Sequence, residues 1–438
     1  MAAHVLSQLL DKCAHWDKDE RYMATYDLCT ELGKDGNLDV VMERRICAAV
    51  LKQLDDSSND VQSIAVKCLG ILLKKVQHEQ VVEISEKLCT LILTGRDELR
   101  DIYSIGLKTL ITDMPRETGH FVAQRELTER LLTGATQDDN NDVKLVCLDN
   151  LTDLLRRFGG DTARHHRDLV SMLVLQLRSE RQVVRKRATN CLGALAAALA
   201  DADLERLVGA LLQRIEEPAT AEFEAATLVQ AIGAVSRAVG YRMARHLDAM
   251  VPLFLRTCGD ADDDGEGGEQ LDDLRESCFQ AFTSLLVRCP REIAPHLDAV
   301  LAVALRFTCY DPNYTYEDED DEDGAGEDEY EASDEDEYDE EDYDGSDDDD
   351  SSWKVRRAAL KTLEAIITHR PEMLARLYGD AGTALIKRFK EREEMVRLDV
   401  VAAYKALVDA TVRVGGGGAG AGAGDGDGAM DVEGATGA

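Results

Sequence analysis

Three stretches of the chain carry residue types at spacings that could do chemistry. Asp260-Ala-Asp-Asp-Asp-Gly265 sets carboxylates at the first, third and fifth positions of a loop and glycine at the sixth, the arrangement with which an EF-hand begins to surround calcium. The twelfth position, where a bidentate glutamate completes the shell, is Leu271. The stretch therefore reads as a solvated turn. Gly415, Gly417 and Gly420 match the G-x-G-x-x-G of a dinucleotide-binding turn, but no strand precedes them and no helix follows to aim N–H groups at a pyrophosphate. His165 and His166 lack the partner one helical turn away that a zinc pair needs and read as a solvent-facing turn. Cys68, Cys147, Cys191 and Cys278 fall on apolar helix faces, where a thiol behaves as a small hydrophobe. No nucleophile elbow, Walker lysine or spaced metal cluster occurs. The expectation is a protein without catalytic residues, metal or cofactor: not an enzyme.

What recurs instead is a basic or polar residue at one point of a repeated pattern. From Val61, the residues Ile64, Ala65, Cys68, Leu69, Leu72 and Leu73 lie at +3, +4, +7, +8, +11 and +12, one continuous face of an α-helix. From Val355, the same offsets give Ala358, Ala359, Thr362, Leu363, Ile366 and Ile367. Copies start at Leu99, Val143 and Leu274, looser ones at Val184 and Val396, and degenerate ones near Glu20 and Glu224. The residue after the anchor is Gln62, Arg100, Lys144, Arg185, Arg275, Arg356 or Arg397.

Spacings of 38, 44, 41 and 41 residues between anchors, with helical signals throughout, predict an all-α HEAT-repeat solenoid. About nine helical hairpins fit residues 1–413, each an A helix followed by a B helix that carries the stripe. The D-V-R character of the turns favours HEAT over armadillo repeats.

Charge locates what is not a repeat. The formal net charge is −36, and residues 317–350 hold 24 acidic side chains and no basic one. Elsewhere 62 acids face 50 bases, an ordinary soluble balance. Such an excess of acid excludes nucleic acid as a partner, because phosphate is held by Lys and Arg. The anchors at Leu274 and Val355 lie 81 residues apart, one repeat plus about forty residues. An acidic stretch buries too little apolar surface to offset its ordering entropy. Residues 311–350 are thus expected to be a disordered insertion within the eighth repeat, between a helix near 291–309 and one starting near Trp353. A shorter insertion begins at Gly259, and residues 414–438 form a flexible Gly/Ala-rich tail.

Two readings stand for the cations. Either they pair with turn aspartates as a structural ladder, or Lys67, Arg100, Lys144, Arg185, Arg356, Arg357, Lys361 and Arg397 meet a partner in a concave groove. Two readings also stand for the acidic arm, represented by Glu317, Asp318, Glu319, Asp320, Asp321, Asp347, Asp348, Asp349 and Asp350: a solubilising loop, or an electrostatic arm that speeds capture of a basic surface. The start MAAHVLSQLLDKC lacks a secretory pattern and no cysteines form CxxC, so a reducing compartment, cytosol or nucleus, is expected. The longest apolar run, Leu192–Ala200, is far short of the ~20 residues that cross a membrane.

DKDERYMATYDL, VQSIAVKCLG, LRDIYSIGLKTLI, RCPREIAPHL, YDPNYTYEDEDDED, SWKVRRAALKTLEAI and ALIKRFKEREEMVRLDV together resemble the N-terminal third of the cullin-associated, neddylation-dissociated proteins. The resemblance runs collinearly to about residue 413, acidic insertion included. It implies a non-enzymatic HEAT-repeat regulator of cullin–RING ubiquitin ligases. The N-terminal arch of that family wraps the cullin C-terminal region and its RING subunit and shields the lysine that receives the ubiquitin-like modifier. The rest of the family's length displaces adaptors, which makes the whole an exchange factor. Glu20, in place of an apolar anchor, and the lengthened turn at 259–270 depart from the family pattern. The ninth repeat is expected to leave an apolar face for a separate C-terminal HEAT chain to complete. The rival reading is an importin-β-like transport receptor for basic cargo; a histone chaperone, resting on the acidic run alone, is a third.

Overall fold

In a computed structural model, residues 3–34, 36, 38–137, 140–259, 268–311 and 351–416 are described. They contain helices and turns and no strand. The calcium-like Asp260–Gly265, the acidic residues Glu317 to Asp350 and the tail beyond Gly416 lie outside them. The helices fall into two compact units, residues 1–257 and 258–438.

In the first unit, hairpins follow one another as the 40-residue period predicts: α1 (Ala3–Lys12) with α2 (Lys18–Gly33), α3 (Val40–Gln53) with α4 (Asn59–Leu72), and α5 (His78–Thr94) with α6 (Arg100–Asp113). Next, α7 (Arg116–Val122) and α8 (Thr128–Ala135), joined by a π-turn, precede α9 (Asn141–Phe158). Then come α10 (His166–Gln176) with α11 (Gln182–Ala198), α12 (Asp201–Glu216) with α13 (Glu222–Val239), and α14 (Leu247–Cys258). The second unit holds α15 (Gly268–Arg288), α16 (Leu297–Phe307) with α17 (Ser352–His369), and α18 (Leu374–Leu377) and α19 (Thr383–Lys387) with α20 (Glu394–Gly416). The last helix therefore runs a few residues beyond the expected end of the array at 413.

Each B helix packs on the next: α2, α4, α6, α9, α11 and α13 form one row, and α15, α17 and α20 another. The stripe residues are the reason. Val61 through Leu73 and Val355 through Ile367 are buried at every offset of the template, and burying each large side chain contributes about 1.5–3 kcal/mol. Caps fix where helices begin. Asp39 accepts from the Val41 and Met42 N–H groups and Asn140 from that of Val143, satisfying donors a helix start leaves open. Gly240, at φ +61°, ends α13 in the left-handed region that glycine enters without strain. The degenerate anchors differ: Glu20 is exposed, whereas Glu224 is buried with Arg178 at 3.0 Å and Arg214 at 2.9 Å.

Turn carbonyls are the hard accounting problem of such an array, since a helix end frees its last C=O groups. Inside hairpins, the residue after the anchor answers it. Arg21 donates to the carbonyls of His15 and Trp16 at 3.0 and 2.9 Å, and Gln62 to that of Asp56 at 2.7 Å. Between hairpins a second set does the same one repeat back. Lys75 reaches the Lys34 carbonyl at 2.8 Å, Arg157 that of Met114 at 2.8 Å, Arg242 that of Leu199 at 2.7 Å, and Arg370 that of Pro290.

The same logic closes the acidic insertion. Asp272 accepts from the Tyr310 hydroxyl at 2.9 Å and from Ser351 Oγ at 2.7 Å, so the last turn before the insertion and the first residue after it meet on one buried carboxylate. Arg275 donates to Tyr310 Oη at 2.8 Å and Arg356 to the Tyr310 carbonyl at 2.8 Å. Burial, with Asp272 beside it, pushes the Tyr310 hydroxyl up to about 12, which keeps it a donor. The ring of Phe307, 5.4 Å away, packs on Tyr310 and in turn on Phe279. For a flexible connection of any kind, halving the length returns only about 0.6 kcal/mol of closure entropy. Replacing residues 313–349 by a link of about ten residues is expected to preserve helical circular dichroism and to raise stability by about 1 kcal/mol in urea titration. Asp272→Ala, in contrast, should lower stability by about 2 kcal/mol or more, since it leaves buried donors without an acceptor.

Candidate partner-binding surface

The eight cations named from the sequence separate by burial. Arg100, Lys144 and Arg356 are buried. Arg100 donates through Nε to the Ile92 carbonyl at 3.3 Å and pairs with Asp97. Arg356, fully buried, also reaches Ser352 Oγ at 2.9 Å, Glu391 at 3.4 Å and Asp311 at 3.5 Å. Arg185 is half-buried; it donates to the carbonyls of Ser179 and Glu180 at 2.9 and 3.0 Å and lies over the Phe223 ring. Arg397 is exposed and reaches the Glu391 carbonyl at 3.4 Å. The residues after the anchors thus take the ladder position of the two readings, mostly on turn carbonyls rather than on aspartates alone. A guanidinium buried against carbonyls has no face to offer a partner.

The off-stripe cations differ. Lys67 and Lys361 are exposed on their B helices, and Arg357 is half-buried against Asp399 at 2.9 Å. Lys67 sits six residues after its anchor, and the same offset in the neighbouring hairpins holds Tyr26 and Ile105, each about half exposed. Because α2, α4 and α6 pack side by side, this register sets Tyr26, Lys67 and Ile105 in a row across three helices. Two apolar side chains flanking a cation, one of them a tyrosine, form a patch of the kind that anchors protein partners. Sequence reading missed the two apolar members, although the offset was legible: position +6 lies outside the buried template. Beyond them along the row, charges pair across helices, Lys108 with Asp153 at 3.4 Å and Arg187 with Asp149.

The histidines differ from expectation. His166 is buried and its Nε2 lies 2.9 Å from the Gly159 carbonyl; His165 meets the Gln124 carbonyl at 3.0 Å. The 3-10 turn before α10 folds both rings back onto backbone, where a solvent-facing turn was predicted. Among the described residues no group of three or more His, Cys, Asp or Glu side chains is placed to hold a metal, and no helix is long and apolar enough to cross a membrane. A groove of about 530 Å³ between α3 and α5 is lined by both signs of charge, among them Arg44, Lys87, Glu83 and Glu86.

At the other end of the chain, α20 exposes Met395, Leu398, Val401, Val408 and Val412 at helical spacing, an apolar face on the last described hairpin.

Serial hairpins, each B helix packed on the next within its unit and pinned at its turn, define a HEAT-repeat solenoid. Yeast importin-β has the same fold, with a TM-score of 0.58 and 12% identity over 94% of this chain and 47% of that one, a likeness of fold alone. No protein-family model matches the chain. It is similar to cullin-associated NEDD8-dissociated protein 2 of Mus musculus, 41% identical over 416 residues, 93% of this chain and 33% of that protein. It is also similar to the Emericella nidulans protein described as cullin-associated NEDD8-dissociated protein 1, N-terminal part, 24% identical over 58% of this chain and 84% of that one. Within the solenoid class, the chain fits the N-terminal part of the cullin-associated NEDD8-dissociated proteins, and it spans about a third of the length of the mouse relative.

The division between buried and exposed cations is measurable. Arg356→Ala is expected to destabilise the chain by about 3–5 kcal/mol, because it breaks a buried charge network with Glu391 and Asp311 and leaves the Tyr310 carbonyl without this donor. Lys361→Ala should change stability by less than about 0.5 kcal/mol. Urea midpoints of the two variants make the comparison.

Proposed function

We propose that this chain is a non-enzymatic scaffold that binds the unneddylated core of a cullin–RING ubiquitin ligase and hinders neddylation. The observation that carries this reading is the 41% identity, over 93% of the chain, to a mouse protein named for cullin association and NEDD8 dissociation. The exposed row Tyr26, Lys67 and Ile105 supports it by supplying a surface that the fold itself does not consume. Lys361, six residues after its anchor Val355, is the corresponding candidate on the second unit, and the acidic arm from Glu317 to Asp350 would raise the association rate with a basic partner. The cullin C-terminal region and the RING subunit are the proposed contacts, in cytosol or nucleus. The apolar face of α20 is the proposed seat of further HEAT hairpins, through which the assembled array would contribute to exchange of substrate receptors.

Immobilised chain should retain an unmodified cullin–RING core and release the NEDD8-modified one. Lys67→Glu combined with Ile105→Ala should weaken binding about tenfold or more while helical content is unchanged. Capture of a transport GTPase with basic cargo, and no cullin, would overturn the proposal.

A further inference from the structure

Between α3 and α5, the A helices of the second and third hairpins, small side chains leave room that larger ones would close. Cys47 and Ala48 stand on the α3 wall of the groove there, and Ile84 and Leu91 on its α5 wall. Its volume of about 530 Å³ is in the range of ligand-holding clefts. The α3 wall runs from Arg44 to Asp55 and the α5 wall from Gln80 to Leu91, a length of about 16 Å at the helical rise. The floor is apolar: Cys47 and Ile84 are buried, and Leu51 and Leu91 half-buried.

Formal charges on the rim balance, three against three, but their partners do not. Asp55 accepts from the Tyr103 hydroxyl at 2.6 Å, Glu83 from the Gln80 amide at 3.3 Å, and Glu86 pairs with Arg130 of α8 at 3.3 Å. Arg44, Lys52 and Lys87 are exposed, and among the described residues none of them makes a side-chain hydrogen bond or ion pair. The charges left unanswered are positive, and they stand over an apolar floor.

We infer that this groove docks an acidic amphipathic helix of a partner protein. The helix lays apolar side chains at i, i+3, i+4 and i+7 on the floor, while Asp or Glu beside that face meets Arg44, Lys52 and Lys87. Spacing selects such an occupant over a small anion. Arg44 and Lys52 lie eight residues apart on α3, about 12 Å, so one phosphate or carboxylate does not reach both. Carboxylates seven or eight positions apart on a docked helix do. Both walls are helices whose backbone groups are already paired, so an extended strand finds no edge to join, whereas a helix satisfies its own backbone. A basic helix would set its charges against three unpaired cations. The groove belongs to the A helices and is separate from the row Tyr26, Lys67 and Ile105 on the B helices.

Fluorescence polarisation of the full chain with labelled synthetic helices tests this. The probe is a stapled peptide of about four helical turns, with leucines at i, i+3, i+4 and i+7 and glutamates flanking them. Two controls carry lysine for glutamate or serine for leucine. The glutamate peptide should bind, and both controls about tenfold or more weakly. Lys52→Glu combined with Lys87→Glu should weaken the glutamate peptide about tenfold and let the lysine peptide bind. Ala48→Trp fills the groove from an exposed position and should block the glutamate peptide, with helical circular dichroism unchanged. No binding of the glutamate peptide, equal binding of either control, or binding that survives the charge reversal or Ala48→Trp would overturn the inference. None of these measurements depends on cullin binding.

Discussion

A hydrogen bond from a long polar side chain to the carbonyls of a turn is the interaction on which the rest of this structure depends. Helical hairpins bury their stripes readily, yet every turn leaves carbonyls that packing would otherwise strand. An unpaired buried carbonyl costs on the order of 1–3 kcal/mol, comparable with the burial of a large side chain. Arg21, Gln62, Arg185 and Arg356 repeat one answer within hairpins, and Lys75, Arg157 and Arg242 repeat another between them. The arginine fork suits the task, because one side chain satisfies two acceptors without losing its charge.

That device also explains how one repeat accommodates a long insertion. Arg356 bonds the Tyr310 carbonyl across 46 positions of sequence as directly as Arg185 bonds the Ser179 carbonyl across six. Spatially it is the same turn. Asp272 adds the closure, holding the residues on both sides of the gap to α15. The charge network around Arg356 is buried and partly shared, with Glu391 also paired to Arg388 and Asp311 to Arg392. Such a network is of uncertain net benefit beside an apolar core, but breaking it is costly. Its contribution is to fix one geometry for the turn.

Once the ladder has used its cations, what remains exposed on the B row is available for recognition. Tyr26, Lys67 and Ile105 occupy one register, with Lys67 exposed and the other two about half exposed. A solenoid can therefore vary these positions without unfolding, since each lies outside the template that neighbouring hairpins share.

The repeat period and the stripe at +3, +4, +7, +8, +11 and +12 were legible in the linear order of residues, because apolar periodicity alone dictates which face of a helix is buried. So was the resemblance to a regulator family, carried by whole phrases. The fate of individual polar groups was not. Arg100 and Arg397 each follow an anchor directly in sequence, yet one is sealed against the Ile92 carbonyl and the other is exposed. The burial of His166 against the Gly159 carbonyl was equally invisible. Sequence by itself determined the solenoid, since hydrophobic burial is set by local spacing. Only tertiary structure decided which cations bind backbone and which face outward, because a hydrogen bond depends on where a turn some forty residues away brings its carbonyl.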